Sequence, residues 1–134
     1  MTWPRKLGLL APAAAWMVII YVVSAQSTLP VLDVGWMDRA VKAASHTGEY
    51  AVLATLMARW PLRNRPRLDK RAALAVVALC TLYALSDEYH QMFVPGRVAD
   101  WADVAADAIG ATSAVLILRR DWPVRLLRRL DPLL

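Results

Sequence analysis

Residues 72–89 read AALAVVALCTLYALSDEY, and this stretch decides the fold class. It carries no charge up to Leu85 and then turns abruptly polar. A helix needs about 20 mainly apolar residues to cross the hydrocarbon core of a membrane. The stretch therefore predicts a membrane-crossing helix at about 72–90, whose far end carries a cluster of polar side chains.

Three segments outside this stretch have a similar character. Residues 7–25 form a run of 19 uncharged residues, which exceeds the apolar core of about 7–15 residues in a secretory signal. We therefore expect a retained helix there, and a cleaved signal peptide is the alternative because small residues close the run. The segments at about 41–59 and 101–118 are mostly apolar or small and complete a set of four predicted helices.

The composition agrees with a membrane protein. Hydrophobic residues make up 58% of the chain and its mean hydropathy is +0.37, whereas soluble domains are roughly 45–50% apolar. The net charge of +5 could indicate nucleic-acid binding, but the long apolar runs argue against a nucleic-acid partner. Cys80 is the one cysteine, so no internal disulfide forms, and we expect it to be buried. We predict an all-α polytopic membrane protein, a four-transmembrane-helix bundle that forms a single domain, 1–134.

The basic residues are segregated to one side of this predicted bundle. Thirteen of the 16 lie in the N-terminal segment, in the loop between the second and third helices, or in the C-terminal tail. Because Lys and Arg are enriched in cytoplasmic loops, both termini are predicted to be cytoplasmic. The tail, 121–134, mixes arginines with leucines and predicts either an amphipathic helix on the membrane surface or a solvated segment.

Small residues recur every four positions in two of the helices, a pattern that lets helices approach closely in lipid. Asp103 and Asp107 lie beside the stripe in the fourth helix, so they are predicted to face neighbouring helices rather than lipid. The two stripes are Ala40, Ala44 and Gly48 in the second helix, and Ala102, Ala106, Gly110 and Ala114 in the fourth.

Polar residues from three segments gather at the predicted outer side. Within each segment they recur at i, i+3 or i+4, so they share one helical face. A charge near the bilayer centre costs on the order of 3 kcal/mol, and several charges together predict a polar cavity that opens outward. The candidate catalytic residues are His46, Glu49, Asp87, Glu88 and His90, and the candidate ligand-binding residues are Tyr50, Ser86, Gln91, Arg97, Asp100, Asp103 and Asp107.

Three interpretations of this cavity stay open. Arg97 and His46 could pair with the acids and only lock the helices together. Arg97 could instead hold an anionic or polar headgroup, because its planar guanidinium can donate two bonds to phosphate. A histidine beside carboxylates could transfer protons in catalysis. No cofactor is predicted, because a metal at His46, Glu49, Asp87 and His90 is only weakly indicated and no HExxH, paired CxxC or phosphate loop is present.

Several motifs resemble those of one family. Residues 46–53, HTGEYAVL, look like the second-helix motif of the VanZ-like family, and residues 83–97, YALSDEYHQMFVPGR, resemble its signature at the third helix and outer loop. Residues 24–27, SAQS, are similar to the end of its first helix. Ala43 stands where similar proteins often carry a lysine, and Lys42 lies one residue earlier. The positions that resemble its fourth-helix pattern are Asp100, Asp103, Asp107 and Gly110.

This resemblance implies a multi-pass protein of the bacterial plasma membrane that works at the cell envelope. The family is named for a protein linked to teicoplanin resistance, and membership does not imply that every relative is a resistance factor. The expected partners are membrane lipids and a lipid-linked cell-wall precursor or glycopeptide-antibiotic target held in the outward-facing pocket. The alternatives are a membrane-embedded enzyme that acts on a lipid-linked envelope substrate by His/carboxylate or metal-assisted chemistry, and a structural or partner-binding subunit.

Overall fold

The computed structural model describes residues 3–27 and 35–134, and this part of the chain is all-α. The predicted fold class is therefore confirmed. Each predicted helix is present, but the second begins six residues earlier and ends three residues later than the predicted 41–59. The five helices are α1 (Trp3–Ser24), α2 (Gly35–Leu62), α3 (Lys70–Gln91), α4 (Trp101–Leu118) and α5 (Asp121–Leu130).

Three of these helices are long and apolar enough to cross a membrane. The spans that meet this requirement, among the residues that the structure describes, are Leu7–Ser24, Lys70–Gln91 and Trp101–Leu118. Helix α2 is longer than any of them, but it carries several charged and polar residues, among them His46 and Glu49, in its first half. The multi-pass character of the protein is thus confirmed, whereas a fourth membrane span stays a prediction.

Helix α2 lies at the centre of the bundle. It packs against α1, α3 and, over the greatest length, α4. Its buried face contains Tyr50, Leu53 and Ala54, followed by Ala58 and Leu62 near its end. These positions follow the i, i+3, i+4 periodicity of a helical face that is turned toward neighbours. Three helices therefore surround α2.

Helix α4 approaches α2 closely at Gly110. A β-carbon on Gly110 would come within 2.1 Å of the carbonyl oxygen of Thr47, and the Thr47 hydroxyl donates to the Ala106 carbonyl at 3.3 Å. The predicted role of the α4 stripe is confirmed at Ala106, Gly110 and Ala114, which are buried. Only a residue without a side chain fits at this contact.

The predicted small-residue stripe of α2 is wrong as a packing surface. Ala40, Ala44 and Gly48 are all exposed, and a β-carbon on Gly48 would meet nothing within 4 Å. The part of α2 that faces Gly110 of α4 is instead the backbone of Thr47. A stripe of small residues predicts a helix face without large side chains, but it does not show which neighbouring helix, if any, packs on that face.

The C-terminal tail folds back onto the end of the bundle that carries the α2–α3 loop. Helix α5 buries Pro123 and Val124, and Nη2 of Arg128 donates to the carbonyl of Leu62 at 3.0 Å. Nε of Arg59 donates to Oδ2 of Asp131 at 2.5 Å. The tail therefore forms a helix, and its location on the membrane surface stays a prediction.

Candidate functional site

A histidine and two acids form the first part of the polar cluster, between α2 and α4. Nδ1 of His46 lies 2.9 Å from Oδ1 of Asp107, and its Nε2 lies 3.8 Å from Oδ2 of Asp103. The same Asp103 oxygen lies 2.6 Å from Nζ of Lys42. Both acids are buried, which confirms that they face neighbouring helices. Two carboxylates inside the bundle are thus paired with an imidazole and an ammonium group.

A second network joins α1, α3 and the loop before α4. The Ser24 hydroxyl donates to Oδ1 of Asp87 at 2.6 Å, and Nε2 of Gln91 donates to Oδ2 of Asp87 at 2.9 Å. Gln91 also reaches Oε1 of Glu88 at 3.3 Å, while Oε2 of Glu88 accepts from the backbone N–H of Asp100 at 2.8 Å. Asp87, Glu88 and Gln91 are buried. Each buried oxygen in this network has a partner, as buried polar groups require.

A cavity of about 500 Å³ lies between these two networks. It is bounded by the ends of α1 and α3, the first half of α2 and the loop before α4. Its wall is mixed, with basic, acidic, hydroxyl and aliphatic side chains. The described residues that line it are Ile20, Val23, Ser24, Asp38, Arg39, Val41, Lys42, Ser45, His46, Glu49, Tyr50, Asp87, Gln91 and Arg97.

Tyr50 is the most deeply buried aromatic group on this wall. Its side chain is 1% exposed, and its hydroxyl has no hydrogen-bond partner among the described residues. The ring of Tyr50 lies 6.3 Å from that of Tyr83, whose own hydroxyl donates to the Met17 carbonyl at 2.6 Å. An unsatisfied hydroxyl in a buried place costs free energy, and Tyr50 thus lacks the hydrogen bond that its neighbour Tyr83 makes.

Arg97 ties the α3–α4 loop to the end of α1. Its Nε donates to the carbonyl of Gln26 at 3.1 Å, and its Nη2 donates to the carbonyl of Val23 at 3.4 Å. The last carbonyls of a helix lack partners within that helix, so the guanidinium acts as a cap for α1. This side chain also lines the cavity, and a guanidinium has five N–H donors in all.

Six predicted site residues do not line the cavity. Glu88, Asp103 and Asp107 belong to the two networks beside it, whereas Ser86, His90 and Asp100 have other side-chain contacts. The His90 ring stacks on Tyr21 with centroids 4.3 Å apart, and the exposed Ser86 donates to the Tyr83 carbonyl at 2.7 Å. Asp100 is the N-cap of α4, and its Oδ1 accepts from the Ala102 N–H at 2.9 Å. None of the three lines the cavity.

The carboxylate that orients His46 is not the one expected from spacing along α2. Glu49, one turn away, lines the cavity, while its backbone carbonyl accepts from Nε1 of Trp16 at 2.9 Å. Nδ1 of His46 is hydrogen-bonded instead to the carboxylate oxygen Oδ1 of Asp107 on α4. In the described ranges, no group of three or more His, Cys, Asp or Glu side chains is arranged to hold a metal ion, so the geometry gives the weakly indicated metal hypothesis no support.

Two side chains that take part in the cluster were not among the predicted site residues. Ser24 bonds to Asp87, and Lys42 pairs with Asp103. A signal for both was present in the sequence, because Ser24 opens the SAQS motif and Lys42 lies four residues before His46. Lys42 reaches the cluster one position away from Ala43, where similar proteins often have their lysine.

The arrangement of these motifs agrees with the comparison with known families. The VanZ/LLP1 family profile matches residues 5–126. The chain belongs to the VanZ/LLP1 family. The match includes all four long helices, the cavity and most of α5. Neither the curated proteins nor the solved structures contain a match to this chain. As a VanZ/LLP1 protein, it is a membrane protein with helical spans from a family whose namesake is linked to teicoplanin resistance.

Proposed function

We propose that this VanZ/LLP1 protein crosses the bacterial plasma membrane four times, with α2 as the fourth span. A helix that rises 1.5 Å per residue is about 42 Å long over 28 residues, which exceeds a hydrocarbon core of about 30 Å. Its polar groups His46 and Lys42 are paired with acids of α4. Charged groups are tolerated in a membrane where they face the bundle and pair.

In the proposed orientation, both termini lie in the cytoplasm. Two basic regions meet at one end of the bundle, where Nη2 of Arg128 donates to the carbonyls of Leu62 and Arg65 and the N–H of Leu68 donates to the Leu118 carbonyl at 3.2 Å. The side chains of Arg5 and Lys6 lie outside the described residues. Since cytoplasmic segments are enriched in Lys and Arg, the cavity at the opposite end faces outward.

The cavity has the chemistry of a site for an anionic group joined to an apolar chain. Arg39, Lys42 and Arg97 supply positive charge on its wall beside three acids, and Ile20 and Val23 supply apolar surface from α1. The acids are Asp38, Glu49 and Asp87. Arginine matches the geometry of phosphate oxygens and donates more than one bond to them. A lipid-linked precursor of the cell wall, in which a phosphate is attached to a long hydrocarbon, combines these two features.

The observation that carries the proposal is the Tyr50 hydroxyl. It belongs to a cavity-lining side chain, it is shielded from solvent, and no described residue accepts or donates a hydrogen bond to it. A group in this state gains a partner when a polar ligand binds. Tyr50 lies next to Glu49 in the chain and beside the Asp87 end of the cavity, so we assign it to the contact with the ligand's polar part.

A matched pair of tyrosine variants tests the proposal. We expect Tyr50→Phe to weaken the binding of a polyprenyl phosphate by roughly tenfold or more, because one hydrogen bond to a charged group is lost. We expect the Tyr83→Phe control to keep this affinity but to unfold more easily, by about 1 kcal/mol, because its bond to the Met17 carbonyl is lost. Binding to purified protein in nanodiscs would be measured by fluorescence titration, with polyprenol as the uncharged probe.

Two results would contradict this assignment. Equal affinity of Tyr50→Phe and the native protein for the phosphate probe would exclude a contact with Tyr50. Equal affinity for polyprenol and polyprenyl phosphate would exclude an anionic site. Each variant removes a single oxygen atom, so we expect both to remain folded. Their unfolding curves check this.

Catalysis at the same site is the second candidate function. The observation that favours it is the His46–Asp107 pair, because an imidazole that is oriented by a carboxylate and lines a cavity can transfer protons. We expect His46→Ala to abolish turnover of a lipid-linked substrate if the protein is an enzyme, and His90→Ala to leave turnover intact because His90 does not line the cavity. Binding of lipid-linked precursors without any product would contradict the catalytic function.

A further inference from the structure

A second cavity, of about 550 Å³, lies at the other end of the bundle, where α2 ends and α3 begins. We propose that this cavity, which we call the arginine pocket, binds the headgroup of an anionic phospholipid. The described residues that line it are Trp60, Pro61, Arg63, Asn64, Arg65, Asp69, Arg71, Ala72 and Ala75. It shares no residue with the proposed envelope site, so this proposal does not depend on that site.

Charge is the first argument for an anionic ligand. Three arginines line the pocket, against one acid, Asp69. That acid is already engaged, because its Oδ1 accepts from the Ala72 N–H at 2.8 Å and its Oδ2 pairs with Arg65. The lining therefore carries two more basic than acidic side chains. Basic pockets at the ends of membrane helices are suited to the headgroups of anionic lipids.

Position in the membrane is the second argument, and it selects a lipid rather than a soluble phosphate. The pocket lies at the first residues of a candidate membrane span, Lys70–Gln91, where headgroups are found. Trp60 is on its wall, with Cζ of Arg63 6.0 Å from the ring centre. Indole rings are enriched at the membrane–water interface. This placement holds whichever way the bundle is oriented in the membrane.

The surface of α3 provides the third argument, because it continues the pocket toward the bilayer centre. Arg71 and Ala75 line the pocket and stand four residues apart, so they share a helical face. The same face continues through Leu79 and Leu82, whose side chains are 55% and 62% exposed. An acyl chain attached to a headgroup in the pocket lies along this apolar surface. A phosphate without an acyl chain would leave the surface unused.

The test compares two arginine pairs of equal charge. Retention of phosphatidylglycerol by the purified full chain in detergent would be measured by native mass spectrometry. We expect Arg63→Gln/Arg71→Gln to reduce retention by roughly tenfold or more, because each arginine near the headgroups contributes about fivefold. We expect the control Arg125→Gln/Arg129→Gln, which removes the same charge from the exposed part of α5 at the same end of the bundle, to retain more of the lipid than the pocket variant does.

The probes identify the ligand class. We expect phosphatidylglycerol to be retained in preference to phosphatidylcholine with the same acyl chains, and to glycerol phosphate at the same concentration. Equal retention in the two arginine pairs would overturn the assignment to this pocket. Equal retention of glycerol phosphate would overturn the assignment to a lipid, and a free phosphate would then be the ligand. Circular dichroism of both variants shows whether the helices are intact.

Discussion

The imidazole of His46 on α2 and the carboxylate of Asp107 on α4 lie 2.9 Å apart, and both are shielded by the bundle. This contact joins the two helices that share the longest interface. Removing one partner of such a pair leaves the other buried without compensation, whereas replacing both by apolar groups avoids this cost. The contribution of the pair to the free energy of unfolding can therefore be measured whatever its role in function.

A double-mutant cycle measures the coupling free energy between His46 and Asp107. We expect His46→Leu and Asp107→Leu each to destabilise the protein by about 3 kcal/mol. The double variant should be destabilised by less than the sum of the two single destabilisations, with a coupling free energy of about 1–3 kcal/mol. The measurement is thermal unfolding in detergent micelles. Losses that simply add would show that the two side chains do not stabilise each other.

The Gly110 contact predicts a sharp difference between two glycines. We expect Gly110→Ala to destabilise the protein by about 2 kcal/mol or more, because the added β-carbon meets the Thr47 backbone at 2.1 Å and backbone cannot turn aside as a side chain can. Gly48→Ala is the matched control on α2, where a β-carbon meets nothing within 4 Å. We expect its stability to be unchanged or slightly raised.

Unfolding of both alanine variants in the same detergent checks this prediction. Equal stability of the two variants would mean that α2 and α4 are further apart than the structure has them. A loss in Gly48→Ala alone would assign the close approach to the small stripe of α2 after all.

Docking of the tail predicts a pH dependence that can be assigned to one group. Burial of the Asp131 carboxyl opposes its ionisation, but hydrogen bonds from Arg59 and from the Leu133 N–H outweigh this and hold the pKa of Asp131 below its ordinary value of 3.8. A carboxyl whose pKa is lowered by folding stabilises the fold above its ordinary pKa, and this stabilisation is lost as the pH falls through the lowered value.

Comparison with Asp131→Asn isolates that group from the other acids. We expect the native chain to unfold at a higher temperature than the variant at pH 6, and the difference to shrink as the pH falls below about 3.8. Thermal unfolding of both proteins between pH 6 and pH 2.5 measures it. A constant difference over this range would contradict a role for the ionised carboxylate.

The proposed orientation predicts which loops are reached from outside the cell. Val98 is 80% exposed in the α3–α4 loop, and Asn64 is exposed in the α2–α3 loop. We expect Val98→Cys to react with a membrane-impermeant maleimide in intact cells, and Asn64→Cys to react only after permeabilisation. The native Cys80 is buried, so the native chain gives the background. Labelling of both variants in intact cells would refute four spans with cytoplasmic termini.

Local features of the sequence determined what could be predicted. The long uncharged run before Ser86 predicts a helix, because no other element satisfies its backbone in lipid. The i, i+4 spacing of Asp103 and Asp107 predicts that one face carries both acids and that this face is turned inward. The first prediction uses the apolar length of one helix and the second uses its period, and the sequence shows both directly.

Contacts between helices could not be predicted in the same way. The pairing of Lys42 with Asp103, and of His46 with Asp107 rather than Glu49, depends on how far α2 is shifted along α4. A single sequence contains no measure of that shift. The same holds for Arg97, whose partners are backbone carbonyls of α1 and therefore leave no side-chain pattern to detect.

The position of α1 has a consequence for how a molecule reaches the cavity that Tyr50 lines. Ile20 and Ser24 of α1 line the cavity, while Val18, Ile19 and Val22 on other faces of the same helix are exposed. The cavity is thus separated from the acyl chains of the bilayer by the thickness of one helix. For the proposed lipid-linked ligand, we therefore expect entry past the edge of α1 with the tail still in hydrocarbon, so that capture requires no transfer of that tail through water.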